Sequence, residues 1–136
     1  MIYEDLKGKK VLVTGSSSGI GAAAAVDFAR QGSFVGVHYF GTKEGARATL
    51  DEVKKFSDGT LIQADVRAPE QVKKLIADFA EAAGGIDILV NNAGTLLDRQ
   101  SVEDATVEYH DQIYQINQRS VFLASQCALP YLKKSN

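Results

Sequence analysis

The chain has 136 residues, of which 45% are hydrophobic and 24% charged, and its formal net charge at pH 7 is −2. This composition is typical of a single globular domain. The near-neutral charge argues against nucleic acid as a partner, because phosphate backbones bind basic faces. The single cysteine, Cys127, excludes an internal disulfide, and the sequence has neither a metal-type Cys/His cluster nor an apolar run of membrane-spanning length. The first ten residues lack the apolar core of a signal peptide, so we expect a cytoplasmic protein.

Short apolar runs alternate with longer helical periods along the whole chain. In chain order they predict a strand at 10–14, a helix at 19–31, a strand at 33–39, a helix at 43–56, a strand at 60–64, a helix at 69–83, a strand at 86–91 and a helix at about 106–134. Gly32 and the pair Gly84-Gly85 stand where glycine commonly ends a helix, and Pro69 suits a first helical turn.

Strict strand–helix alternation predicts one α/β domain over residues 1–136, with a doubly wound parallel sheet. Right-handed crossovers then give the strand order 3-2-1-4. In such a sheet the order reverses between strands one and four. Ligands bind there, outside the carboxyl ends of the strands.

A glycine-rich turn, residues 14–21 (TGSSSGIG), joins the first strand to the first helix. Gly15 suits a sharp turn, Gly19 lets phosphates approach the backbone, and Gly21 lets the helix pack close to the sheet. The helix N-terminus would direct its free N–H groups at a pyrophosphate. A P-loop is excluded because it needs Gly-Lys-Ser/Thr where this turn ends in Gly-Ile-Gly. A methyltransferase-type turn, or one that binds nothing, stays open at this point.

Two further motifs follow later strands: Asp65-Val66 after the third, and residues 91–94 (NNAG) after the fourth. With the glycine turn, the three motifs stand in order at three successive strand ends. In this the sequence closely resembles the short-chain dehydrogenases/reductases, above all members like 3-oxoacyl-carrier-protein reductase. The resemblance covers essentially the whole chain and matches the N-terminal half of such a subunit. It implies a Rossmann-type fold that binds NAD or NADP.

The resemblance assigns coenzyme contacts to residues that share a position at the strand ends: Gly15, Ser17, Ser18, Gly19, Ile20, Gly21, Tyr39, Asp65, Val66, Asn92, Ala93 and Gly94. It implies that the glycine turn holds the pyrophosphate and that Ser17 and Ser18 lie near the adenosine ribose. Asp65 and Val66 would meet the adenine, and residues 92–94 would run beside the nicotinamide ribose.

Asn117, on the last predicted helix, matches the asparagine of the family's catalytic tetrad. The resemblance implies that it distorts the helix and holds a water in a proton relay. Taken without the resemblance, Asn117 is better read as a solvated polar residue on a helix. Asn91 is expected to brace the sheet.

The tip of the second strand bears on the choice between NADP and NAD. An acidic residue there would bind the ribose 2′-hydroxyl and repel a 2′-phosphate, but this chain has Tyr39. Lys43 is close enough in sequence to reach a phosphate, although the arginine common in NADP-specific relatives is missing. We therefore predict NADP over NAD. His38 and Lys43 are equally consistent with solvated surface residues.

The family's reaction also needs a serine on a fifth strand and a tyrosine and lysine four apart on the next helix. The lysine lowers the pKa of the tyrosine, which then exchanges the substrate's proton. Tyr3 and Lys7 have this spacing but precede the first strand, and Tyr131 and Lys134 have the wrong spacing.

We therefore expect the cofactor-binding half of a longer oxidoreductase that acts on an alcohol or carbonyl substrate. We expect this half to be inactive alone, and the protein to be a homodimer or homotetramer. Three alternatives stay open: a natural short form, a non-catalytic nucleotide-binding or regulatory module, and an assembly subunit that uses its last helix.

Overall fold

A four-stranded parallel sheet organises residues 2–135, the part of the chain that the computed structural model describes. Its strands are β1 (Lys10–Val13), β2 (Phe34–Tyr39), β3 (Gly59–Gln63) and β4 (Ile88–Val90). The helices are α1 (Gly19–Arg30), α2 (Lys43–Val53), α3 (Pro69–Ala83), α4 (Val107–Tyr114) and α5 (Ser120–Leu132). The strand order is β3-β2-β1-β4, which confirms the predicted topology.

Helices cover both faces of the sheet, so its central strands are apolar on both sides. On one face α1 and α2 pack on a cluster that includes Val11, Val13, Val35, Val37 and Ala25. On the other face α3 and α5 pack on a cluster that includes Leu12, Leu75, Ile76, Phe79 and Ala128. Adjacent residues of β1 therefore belong to opposite cores, as the two-residue period of a strand requires.

Helix α3 packs closely on the sheet at Gly36 of β2. A Cβ on Gly36 would lie 2.5 Å from the Phe79 ring and 2.8 Å from Leu12 Cδ1. The ring therefore fills the space that a side chain at position 36 would occupy. Glycine is unfavourable in a strand interior, and here the close packing of Phe79 accounts for it.

Glycines end two helices where the sequence predicts. Gly32, with φ +83°, follows α1, and Gly84, with φ +76°, is the C-cap of α3. Pro69 occupies the first turn of α3, as expected. By contrast, α2 ends at Val53 rather than at Phe56, because residues 54–56 continue only as turns.

The fourth strand is shorter than predicted, since only Ile88–Val90 pair with β1. Asp87 accounts for the late start of this strand. Its carboxylate accepts the Lys10 N–H at 2.7 Å while its own N–H donates to the Lys10 carbonyl at 2.9 Å. A side chain thus replaces a backbone carbonyl at the start of the ladder.

The last predicted helix is divided into α4 and α5 by a π-helical turn at Gln115–Arg119. Along this segment Ile116 and Ser120 are buried, and Leu123 and Cys127 are half-buried. A π-helical turn adds a residue within a helix and commonly marks a functional position.

Within residues 2–135, no helix is long and apolar enough to cross a lipid bilayer. The same residues contain no group of three or more His, Cys, Asp or Glu side chains placed to hold a metal ion.

Candidate functional site

The carboxyl ends of all four strands open into one groove. Its walls come from the glycine turn, the tips of β2 and β3, the loop after β4 and the π-helical turn: Gly15, Ser17, His38, Tyr39, Phe40, Gly41, Thr42, Asp65, Val66, Arg67, Ala93, Gly94, Thr95, Leu97 and Ile116. Of the predicted site residues, this lining includes Gly15, Ser17, Tyr39, Asp65, Val66, Ala93 and Gly94. The others, Ser18, Gly19, Ile20, Gly21, Asn92 and Asn117, do not line it and lie on the segments that border it.

The surroundings of the three turn glycines explain why each position is occupied by glycine. Gly15 has φ +63°, and a Cβ there would lie 2.7 Å from the Ala93 Cα. A Cβ on Gly21 would collide with Asn92 Nδ2 and the Gly15 carbonyl. Gly19 has φ +56° but would meet nothing within 4 Å, so its Cβ position faces open space. Gly15 and Gly21 are thus required by packing, whereas Gly19 keeps a space free beside the backbone.

The N-terminus of α1 borders this open space. Ser18 is the N-cap residue, but its side chain makes no capping hydrogen bond. Ala22 is the first residue whose N–H donates to a carbonyl one turn back, that of Ser18. The preceding amides have no such partner within the helix, and together with the helix dipole they favour an anion. Ile20 is 84% exposed beside them.

Thr14, at the end of β1, joins the glycine turn to the loop after β4. Its buried hydroxyl accepts the N–H groups of Asn92 and Ala93, both at 3.0 Å, and donates to the Val90 carbonyl at 3.3 Å. This one hydroxyl therefore links the glycine turn to the loop after β4 where the two segments diverge. In the sequence Thr14 is only the first residue of the turn, and its role as a bridge depends on the tertiary fold.

Asn92 completes the connection through its side chain. Its Nδ2 donates to the carbonyls of Thr14 and Gly15, both at 2.9 Å. Asn91 braces the sheet on the other side, donating from Nδ2 to Ser125 Oγ of α5 at 3.1 Å. The two asparagines thus fix the loop after β4 against both the turn and the last helix.

Asn117 lies in the π-helical turn and reaches across to the same loop. Its Nδ2 donates to the Thr95 carbonyl at 2.8 Å, and its Oδ1 accepts the Thr95 N–H at 3.1 Å. Nδ2 also donates to the Ile113 carbonyl one turn back, at 2.9 Å, which competes with the α-helical bond there. Gly94 permits this approach, since a Cβ on it would lie 2.7 Å from Asn117 Oδ1. The interpretation of Asn117 as a merely solvated side chain is therefore wrong.

Asp65 forms a bidentate ion pair with Arg67, a residue that sequence analysis missed. Arg67 Nε lies 2.9 Å from Oδ1, and Nη2 lies 2.8 Å from Oδ2. The pKa of Asp65 lies below its ordinary value, mainly because this guanidinium donates hydrogen bonds to the carboxylate. Partial burial acts in the opposite direction and raises the pKa. Arg67 also lies over the Phe40 ring, 5.4 Å from its centroid. The Asp-x-Arg spacing was the available signal, although its contact with Phe40 depends on the tertiary fold.

Two residues near the tip of β2 differ in exposure. Lys43 is exposed at the start of α2, as expected. The surface interpretation of His38 is wrong, because its side chain is buried, 2% exposed, between the glycine turn and the end of β3. Tyr39 is also buried, packed on the α1–α2 cluster. The alternation along β2 turns these neighbours to opposite faces of the sheet.

The family model that describes short chain dehydrogenases matches residues 9–136. Among curated proteins, a versicolorin reductase of Emericella nidulans is 38% identical over 130 residues, which cover 95% of this chain and 49% of that protein. A 3-oxoacyl-[acyl-carrier-protein] reductase of Staphylococcus aureus is 38% identical over 125 residues, covering 91% and 50%. This chain therefore spans about half the length of these relatives.

Solved structures share the same fold. An NADH-dependent reductase described as responsible for alginate metabolism matches with a TM-score of 0.92 at 35% identity, covering 98% of this chain and 55% of its own. A short chain dehydrogenase from Burkholderia cenocepacia, crystallised with NADP, matches with a TM-score of 0.90 at 41% identity, covering 93% and 52%.

Proposed function

Since this chain belongs to the short-chain dehydrogenase family, we propose that it is the coenzyme-binding part of an NAD(P)-dependent oxidoreductase. The observation that carries the proposal is the open space at Gly19 beside the uncapped amides of α1. This is the geometry that a dinucleotide pyrophosphate needs at a strand-to-helix turn. The bound coenzyme supplies hydride exchange with the carbon of an alcohol or carbonyl substrate.

The proposed coenzyme would extend along the groove from the tip of β2 to the loop after β4. The glycine turn would hold the pyrophosphate, and Ser17 and Ser18 would lie near the adenosine ribose. Asp65 and Val66 would contact the adenine, with the carboxylate of Asp65 kept in place by Arg67. Residues 92–94 would lie beside the nicotinamide ribose, in the conformation that Thr14 fixes.

For Asn117 we propose a role in proton transfer. A carboxamide offers two N–H donors and two acceptor positions on its oxygen. Both donors and one acceptor position are used by the backbone of Thr95 and Ile113. The second acceptor position on Oδ1 is left to hold a water, which fits the relay that the family resemblance implies.

We also propose that this part is inactive without the family's serine and tyrosine–lysine pair. Tyr3, which begins the nearest match in spacing, bonds through its N–H to Gln31 Oε1. Gln31 is the C-cap of α1, at the end remote from the glycine turn. Tyr3 therefore lies away from the groove, and Tyr3 and Lys7 do not serve as the tyrosine–lysine pair.

NADP is the proposed coenzyme. The tip of β2 carries no carboxylate, since Tyr39 stands there, and Lys43 is exposed at the start of α2, four residues later. The N-cap of α2, Thr42, makes no side-chain capping bond, so this second helix N-terminus also favours an anion. A 2′-phosphate would meet both positive groups at this end of the groove.

Calorimetric titration with NADP⁺ and NAD⁺ tests this choice. We expect NADP⁺ to bind about tenfold more tightly, because one charge-assisted hydrogen bond contributes about 1.5–3 kcal/mol. Lys43→Ala should remove most of that difference without changing NAD⁺ binding, and Lys73→Ala, on the exposed face of α3, should change neither. Tighter binding of NAD⁺ would contradict the assignment, and binding of neither dinucleotide would contradict the proposed function itself.

We propose further that the protein is cytoplasmic and self-associates. Exposed apolar side chains on α5 support association, with Phe122 62% and Leu129 47% exposed. Such residues on one helical face are typical of a contact surface. Light scattering at micromolar concentration should give a dimer or tetramer, and Phe122→Asp should shift it toward monomer. A monomer in the unmodified protein would contradict this.

A further inference from the structure

His38 makes hydrogen bonds with both nitrogens of its buried ring. The Gly15 N–H donates to Nδ1 at 2.9 Å, and Nε2 lies 3.0 Å from the Ala64 carbonyl. A backbone amide can only donate and a carbonyl can only accept. Nδ1 must therefore be unprotonated and Nε2 protonated, so these two partners select the neutral ring in a single tautomer.

The backbone of His38 is tied to the next residue of the turn. The His38 N–H donates to Ser16 Oγ at 3.0 Å, and the Ser16 N–H donates to the His38 carbonyl at 2.9 Å. Ser16 Oγ in turn donates to the Val13 carbonyl at 2.8 Å. Gly15 and Ser16 of the glycine turn are thus hydrogen-bonded to the tip of β2 through the side chain and backbone of His38.

We propose that His38 is a positioning residue for the coenzyme, which holds Gly15 and the glycine turn in the binding conformation only while its imidazole is neutral. The inference rests on the proposed function, because it concerns the same turn. Protonation would place an N–H on Nδ1 directly against the N–H of Gly15. Two donors cannot bond each other, so the turn would have to move away from β2.

The surroundings of the ring favour its neutral form near pH 7. Burial lowers the pKa of His38, partly offset by the hydrogen bond to the Ala64 carbonyl. Asp65 and Arg67, which line the same groove, neutralise each other, and the Tyr39 phenol belongs to the opposite face of the sheet. Among residues 2–135, none of these three side chains hydrogen-bonds to the imidazole.

The sign of the pH effect follows from the lowered pKa. Unfolded histidine titrates near 6.5, so the neutral ring contributes its full stabilisation above about pH 6.5. As the pH falls below that value and through the lower folded pKa, the unfolded state binds the proton more readily and the contribution is lost. Coenzyme affinity should fall in the same direction, because the bound turn requires the neutral ring.

NAD⁺ titrations from about pH 7.5 to pH 5.0 test the proposal, since NAD⁺ lacks the phosphomonoester of NADP⁺ that titrates in this range. We expect affinity to fall toward acid in the unmodified protein, as the His38 ring gains its proton. The same fall is expected in His110→Asn, because His110 is the other histidine of the sequence and is exposed on α4. His38→Asn should lose the fall, since the carboxamide oxygen replaces Nδ1 as an acceptor without titrating.

His38→Leu separates positioning from packing. It fills the site but leaves the Gly15 N–H and the Ala64 carbonyl without partners, so we expect NAD⁺ and NADP⁺ to bind about tenfold more weakly at every pH. A merely structural role would lower the stability of the Asn and Leu variants alike and leave both pH profiles as in the unmodified protein. An unchanged profile in His38→Asn, or normal affinity in His38→Leu, would overturn the proposal.

Nitrogen NMR of the unmodified protein gives a readout that needs neither a variant nor a coenzyme. We expect a scalar coupling across the hydrogen bond between the Gly15 amide nitrogen and His38 Nδ1, which disappears as the ring titrates. Its absence at neutral pH would overturn the positioning role. If the coupling is present but neither dinucleotide binds at any pH, the proposed function fails while the histidine–turn contact stands.

Discussion

Gly15→Ala is expected to destabilise the protein by about 2–5 kcal/mol and to weaken NADP⁺ binding by more than about tenfold. A non-glycine residue in the left-handed region costs about 1–2 kcal/mol. A Cβ only 2.7 Å from the Ala93 Cα adds an overpacking cost of about 1–3 kcal/mol, because the facing atom belongs to the backbone and cannot rotate away. Chemical denaturation and calorimetric titration measure the two effects.

Substitutions at two other glycines with positive φ distinguish a loss of stability caused by backbone strain from a loss of coenzyme affinity. Gly19→Ala adds a methyl group in open space, so it should cost only about 1–2 kcal/mol of stability. It should nevertheless weaken NADP⁺ binding as strongly as Gly15→Ala, because the methyl group would occupy the approach of the pyrophosphate. Gly8, with φ +75° and open surroundings, precedes β1, so Gly8→Ala should lose the same stability and keep its affinity. Full affinity in Gly19→Ala would rule out the glycine turn as the phosphate site.

Phe79→Ala is expected to lower the free energy of unfolding by about 3–5 kcal/mol, the usual cost of emptying a buried aromatic site. Phe79 has no solvent exposure and packs against Gly36 and Phe34, the latter with ring centroids 6.2 Å apart. Strand β2 is hydrogen-bonded to β1 on one side and to β3 on the other, so it cannot move far enough to close the cavity. Guanidinium denaturation followed by circular dichroism measures the loss.

Phe79→Leu and Phe56→Ala are the matched controls. Leucine refills most of the volume, so its cost should be clearly smaller than that of alanine. Phe56 is 49% exposed and contacts Arg30 through its ring, so its removal should cost no more than about 1 kcal/mol. Because Phe79 lies in the α3–α5 cluster and not in the groove, the folded fraction of Phe79→Ala should keep its coenzyme affinity. Equal losses for Phe79→Ala and Phe56→Ala would contradict the packing argument.

The sheet order and the ends of α1 and α3 were predictable because the strands and the helix-ending glycines are visible as local patterns. The valines of β1 and β2 identify buried strands, and Gly32 and Gly84 end helices through their own backbone freedom. The glycine turn was recognisable for the same reason, since its residues are contiguous.

The rest depends on contacts between residues that are distant in the sequence. The burial of His38 arises because the tips of β1 and β3 close over it, from 23 residues before and 26 residues after. The π-helical turn depends on Asn117 meeting Thr95, which no helical periodicity reports. Likewise, Asp87 shortens β4 by bonding to Lys10, 77 positions away. Neither composition nor periodicity predicts contacts between residues so far apart in the sequence.

The hydroxyl of Thr14 and the carboxamide of Asn92 have a thermodynamic consequence for any ligand of the groove. Their hydrogen bonds join the glycine turn to the loop after β4, so the two segments that border the groove hold one fixed arrangement. Both segments are therefore ordered when the chain folds. Little conformational entropy remains to be lost when a ligand binds. The heat-capacity change on ligand binding should then come from the apolar surface that the ligand buries, without a contribution from loop folding.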